Sequence, residues 1–310
     1  MYFIAAALVL LILLLAAILF RLPLVSDCFP LSAARRRLGY WRLPDAIAIV
    51  GVWFFLPGLL FPLCDRLPKP PAIEKMSRLL TDSSRLPPGE LERLSREHPL
   101  TQVFVLARRV EHGGWLIASC FLVGCLLVTV TEEFFFRVVL QRTFVSLLSP
   151  PAESARLSAT VLTALLVASV HIRGTGPIGP ETFTHTATAL LTSVPLGAVL
   201  TLLFGWLWLR LRYRRGAEVL FRIDRDPRLI GRGLLAGTGA FLLFLPTLIL
   251  LQIGFSRLFP GVVTDPIPLF FFALFLGILA DRSGRLAPSV GMHMSLNCFS
   301  FFLLAAKSCA

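Results

Sequence analysis

The chain has 310 residues, of which 56% are hydrophobic and only 15% charged, with a mean hydropathy of +0.78. That balance excludes an ordinary soluble domain and identifies a polytopic membrane protein. The net charge of +12 is carried almost wholly by arginine and reads as loop charge that sets orientation, which excludes a nucleic-acid partner.

In chain order, eight apolar stretches of about 17 to 25 residues are long enough to span a bilayer. They lie near 2–20, 44–63, 114–137, 157–173, 183–209, 232–254, 267–281 and 286–306. Residues 2–20 read as a retained transmembrane helix, because the apolar run is too long for a secretion signal and lacks a basic start. The sizeable polar segment, 65–113, is Pro-rich ("LPKPPAIEK", "LPPGELERL") and has patches such as "MSRLLTDSSRL" suited to short interfacial helices. Eighteen of the thirty Lys and Arg fall in 21–43, 137–156, 210–232 and 282–285. The positive-inside rule assigns those loops to the cytoplasm and the polar segment to the outer side, with multiple passes through the cell (inner) membrane. The six cysteines form no CxxC pair and read as small buried hydrophobes.

An ionisable group at the bilayer centre costs about 2.5 to 3.5 kcal/mol, so each one inside a span needs a reason. In "VTEEFFFRVVLQ", with 100° per residue, Glu133 and Arg137 share a face in the order that favours an ion pair. Glu132 is rotated about 140° from Arg137 and turns toward another element. His171 closes the next apolar stretch, "VLTALLVASVHIRG". Pro150 and Pro151 mark the turn between those two arms, and an antiparallel hairpin would bring Glu132 and His171 to nearly the same depth. In "PSVGMHMSLNCFSF", His293 and Asn297 are four apart on one helical face, with Ser289 a turn earlier.

A carboxylate, two histidines and an amide supply a general base, a second acid/base group and oxyanion donors, the parts needed to activate water against a peptide carbonyl. No serine or cysteine stands beside a base as a nucleophile, and HExxH is absent. Glu132, His171 and His293 also make a three-ligand set with an open position, so zinc stays open on ligand type. The same polar stripes can serve helix–helix hydrogen bonding in a silent scaffold or chaperone. A proton-coupled transporter fits less well, since no pair of Gly/Pro-broken helices recurs in matching halves.

The pattern EExxxR in "TEEFFFRVVLQ", the histidine-terminated helix "LTALLVASVH" and HxxxN in "LAPSVGMHMSLN", led in by "FFALFLGILADRSGRL", resemble the CPBP family of CAAX proteases and bacteriocin-processing enzymes, also called the Abi family. The resemblance covers roughly 114 to 173 and 265 to 305. It implies an all-α bundle with a CAAX-protease-like core over 114–310, following two N-terminal helices in 1–64. It implies an intramembrane endopeptidase acting on a peptide or protein substrate, including lipidated ones, at the membrane lipid. In that scheme Glu132 and His171 activate water, His293 and Asn297 stabilise the oxyanion, Glu133 and Arg137 support the site, and no cofactor is needed. The chain departs from the pattern at Val167, where the second motif usually has Phe, and at Val138, where Gly commonly follows the arginine. About ninety residues separate His171 from the third motif, and the hairpin inserted near 180–260 is expected to pack outside the core.

Overall fold

A computed structural model describes residues 43–69, 71–82, 104–111, 113–148, 153–170, 185, 188–189, 192–213, 226–258 and 266–307. The expected first span, 2–20, lies outside them. All regular structure among the described residues is helical. The principal elements are α1 (Leu43–Asp65), α2 (Pro71–Thr81), α3 (Gly113–Leu147), α4 (Glu153–Val170), α5 (Ser193–Tyr213), α6 (Pro227–Leu258), α7 (Pro266–Ser283) and α8 (Ala287–Lys307). Helix is the conformation that satisfies every backbone group within the segment, as hydrocarbon requires. Among the described residues, α1, α3 and the Pro227–Phe255 part of α6 are long and apolar enough to cross a membrane. The protein is an integral membrane protein of all-α fold.

Local chemistry sets the helix ends. Pro71, Pro227 and Pro266 open α2, α6 and α7, positions where a missing N–H costs nothing. Asp226 caps α6 by accepting from the Arg228 N–H at 2.9 Å. Between α7 and α8, Gly284 adopts φ +66°, and its N–H reaches the Ala280 carbonyl at 3.1 Å. Glycine takes this left-handed geometry without a Cβ clash, which explains the "RSGRL" lead-in. Large apolar side chains stay exposed on the outer faces, Phe55, Leu59 and Leu63 on α1 and Leu235 and Leu242 on α6, as lipid contact allows.

One expectation needs correction. The span near 114–137 does not end at Arg137; α3 continues to Leu147, so its charged residues lie within a helix. Two stretches of α3, Val123–Val128 and Phe134–Leu140, are wound as π-helix, with the Gln141 N–H bonded to the carbonyl of Phe136 five residues back. Short π segments within α-helices recur at functional sites.

Two compact units are distinguishable, one of Met1–Ala46, Glu132–Arg173 and Leu207–Ser295, the other of Ile47–Thr131, Gly174–Trp206 and Leu296–Ala310. In the first, α4 packs most extensively on α7 and also on the Gln141–Leu147 turn of α3. Gln141 Nε2 donates to Thr160 Oγ1 at 2.8 Å, and these two residues are equidistant from the Pro150–Pro151 pair, as an antiparallel hairpin requires. The absence of a side chain at Gly277 permits the approach, since a Cβ there would lie 2.5 Å from the Thr160 methyl.

The hairpin expected outside the core instead supplies α6 to it. Gly237 of α6 is pressed against the Pro288 carbonyl, and an added Cβ would stand 2.7 Å from the Met292 nitrogen. Gly291 of α8 in turn meets the backbone of Leu234, and Ser295 Oγ donates to Thr238 Oγ1 at 3.0 Å. Phe244 of α6 stacks on Phe275 of α7 with centroids 4.0 Å apart. Small residues let helix backbones approach closely where lipid provides no hydrophobic drive. Gly237→Val is therefore expected to cost about 1–3 kcal/mol through overpacking, read as a lower melting temperature in detergent.

The second unit accounts for the polar segment. The apolar face of α2, Ile73 and Met76, is buried against Leu106, Ala107 and Leu116, while Lys75 pairs with Glu111 at 2.9 Å. Protein, rather than the interface alone, covers that face. Phe301 packs on Phe104 and Phe121 in the same unit.

Candidate active site

The first unit brings four of the sequence-designated residues together. Glu132, Glu133 and Arg137 come from α3, and His293 comes from α8. Glu133 is buried, with 1% side-chain exposure, and its Oε2 lies 3.5 Å from Arg137 Nε, itself buried. The i,i+4 pair read from the sequence is thus formed. His293 stands between the two glutamates, its Nδ1 3.0 Å from Glu133 Oε1 and its Nε2 3.6 Å from Glu132 Oε2. The His293 and Glu132 side chains keep 14% and 17% exposure. Phe272 of α7 meets the imidazole edge-on at 5.8 Å between centroids.

The division of labour on α3 is consequently less sharp than a uniform helical wheel suggests. Glu133 serves Arg137 and His293 at once, and it makes the shorter of the two contacts to the imidazole. The 140° separation of Glu132 from Arg137 assumes 3.6 residues per turn throughout, whereas i→i+5 winding brings residues five apart toward the same face. Ser289, one turn before His293 on α8, donates its hydroxyl proton to the Leu286 carbonyl at 2.9 Å.

Asn297 belongs to the second unit. Its Nδ2 donates to Thr129 Oγ1 at 2.8 Å and to the Gly124 carbonyl at 3.3 Å. Thr129 Oγ1 also lies 3.3 Å from the Gly124 carbonyl. Gly124 lies in the first π segment of α3, and a side-chain amide here supplements the bonding of a displaced main-chain carbonyl. Neither Thr129 nor Gly124 stands out in the sequence; the only hint is a pair of threonines just before the two glutamates. His171 lies outside the described residues, directly after the last residue of α4.

A bridging imidazole fixed at Nδ1 by a buried carboxylate has a defined ring orientation, which leaves Nε2 to exchange or donate a proton beside a second carboxylate. Among the described residues, no group of three or more His, Cys, Asp or Glu side chains is arranged to hold a metal ion. Glu132 and His293 of the candidate zinc set are described and His171 is not. Glu133 is already engaged by Arg137 and His293.

Residues 114–223 match the family model described as Type II CAAX prenyl endopeptidase Rce1-like. The matched stretch holds the EExxxR motif and His171 and ends before α6, so His293 and Asn297 lie beyond it. No curated protein and no solved structure gives a significant match. The match over 114–223, on the segment that carries the paired glutamates, supports a relation of this segment to the CAAX-protease (CPBP) family.

Proposed function

We propose that the protein is a multi-pass intramembrane endopeptidase of the cell membrane, in which a glutamate-activated water attacks a peptide bond close to the bilayer. The observation that carries this reading is His293 held between Glu132 and Glu133 at 3.6 and 3.0 Å in a largely buried setting. Two carboxylates and an imidazole are costly to place there, and mutual neutralisation alone would need only Glu133 and Arg137.

In the proposed reaction Glu132, with His171 as its partner by family analogy, takes a proton from water as the water oxygen bonds to the scissile carbonyl carbon. The negative charge that develops on the carbonyl oxygen is met by His293 Nε2–H. Glu133 accepts from Nδ1–H and fixes the ring, and the imidazole carries both protons, as imidazolium, when Nε2–H donates to the oxyanion. Arg137 offsets the Glu133 charge. Collapse of the tetrahedral intermediate breaks the C–N bond, and Glu132 returns its proton to the departing amine. The family points to peptide or protein substrates at the membrane, with a prenylated C-terminal tail as the specific class to test.

The test uses the purified chain in detergent or nanodiscs with a peptide library that includes a farnesylated C-terminal CAAX peptide. The parent is expected to cleave, and His293→Ala to lower kcat by about 10²–10³. Absence of cleavage by the parent, or equal cleavage by the variant, would replace this reading with the silent-scaffold alternative.

A further inference from the structure

Glu133, Arg137 and Gln141 recur at four-residue spacing along α3, and all three are buried. The first two belong to the ion pair already described; Gln141 has no assigned role. Its amide nitrogen is held by two acceptors, Thr160 Oγ1 of α4 at 2.8 Å and the Gly277 carbonyl of α7 at 3.3 Å. Thr160 spends its own proton on the Arg156 carbonyl at 2.8 Å, so toward Gln141 it can only accept. The orientation of the amide is therefore determined, and Oε1 faces away from both acceptors.

On that side lies Arg137. Gln141 Oε1 and Arg137 Nη1 are both buried without a hydrogen-bond partner among protein atoms. Both also border the same point, the position a Cβ of Gly277 would occupy, at 3.4 and 3.1 Å. An acceptor and a cationic donor facing one small space in the membrane interior are complementary, and a small rotamer shift or one bridging water joins them. The alternative leaves two orphaned polar groups in an apolar setting, each without the hydrogen bond that would offset its desolvation.

We infer that Gln141 is a positioning residue acting through Arg137: its amide carbonyl steadies the guanidinium against Glu133, which in turn aims His293. Gln141 touches no reacting atom. It anchors the lower end of a chain that runs Gln141, Arg137, Glu133, His293, with α4 and α7 fixing the amide in place. Gly277 is part of the same device, because any side chain there would occupy the space in which carbonyl and guanidinium meet. The inference deepens the endopeptidase reading and rests on it for its kinetic consequence, though not for its structural one.

The test compares Gln141→Met, which removes acceptor and donor at similar volume, with Gln141→Glu, which keeps an oxygen beside Arg137 but loses the donor to Thr160 and Gly277. In the full-length protein, Gln141→Met is expected to lower kcat about tenfold with KM within about twofold, while Gln141→Glu retains most of the rate. A residue that only ties helices together would lose as much in both variants, and that result would overturn the inference. A second readout is independent of activity: ¹⁵N NMR of histidine-labelled protein, with the His293 signals assigned by their loss in His293→Asn. Gln141→Met should shift the His293 Nδ1 resonance and Gln141→Glu should not. Unchanged His293 signals in Gln141→Met would sink the proposal even if the rate fell. If the parent cleaves no peptide, the endopeptidase reading fails by itself and the NMR comparison alone decides the role of Gln141.

Discussion

Replacing Glu132 with Gln is expected to lower kcat for peptide cleavage by about a thousandfold, within the range general-base catalysis contributes. The substitution keeps the shape of a side chain that is partly exposed and sits 3.6 Å from His293 Nε2, so the helix bundle should fold and melt as the parent does. What it removes is the capacity to accept a proton from water. KM should change little, because the lost interaction matters only as the transition state forms. The measurement is steady-state cleavage of a peptide that the parent cuts, with thermal unfolding as the control. A variant that retains more than a tenth of the parent rate would move the base elsewhere, with Glu133 the next residue to examine because it makes the shorter contact to the imidazole.

Removal of the Arg137 guanidinium should act on stability first. Arg137→Leu leaves the Glu133 carboxylate in a site with 1% side-chain exposure, where it still contacts His293 but has lost the guanidinium. Breaking a buried pair from one side costs about 3–5 kcal/mol, because a charge stays buried without its counter-ion. A large fall in melting temperature in detergent is the expected result. Neutralising the orphaned partner tests the cause. Arg137→Leu combined with Glu133→Gln should be more stable than Arg137→Leu alone, since two neutral side chains carry no buried charge. Simple additivity of the two losses would show that the arginine acts by packing and not by charge.

Much of the fold was legible because a bilayer imposes a coarse rule. Apolar length marks helices, and the stretches near 44–63, 232–254, 267–281 and 286–306 fall on α1, α6, α7 and α8 with ends displaced by only a few residues. The Glu133–Arg137 pair was legible for a similar reason, since residues four apart face one another on any helix close to α geometry. Less legible was α3. A hydropathy profile stops at the first arginine, whereas the chain carries Arg137, Gln141 and Arg142 onward inside the protein, where partners on α4 and α7 are available to groups such as Gln141.

The sequence by itself determined that this is an all-helical membrane protein, carried motifs that resemble the CPBP family, and singled out the ionisable residues whose burial needs a reason. Those conclusions depend on periodicity and on transfer cost, which are properties of single segments. Tertiary structure alone decided that His293 engages both glutamates, that Asn297 bonds to Thr129 and to Gly124 in the first π segment, and that α6 packs into the core along glycines facing α8. Each of these depends on local winding and on backbone approach between helices distant in the chain, and neither quantity is encoded in hydropathy or residue spacing.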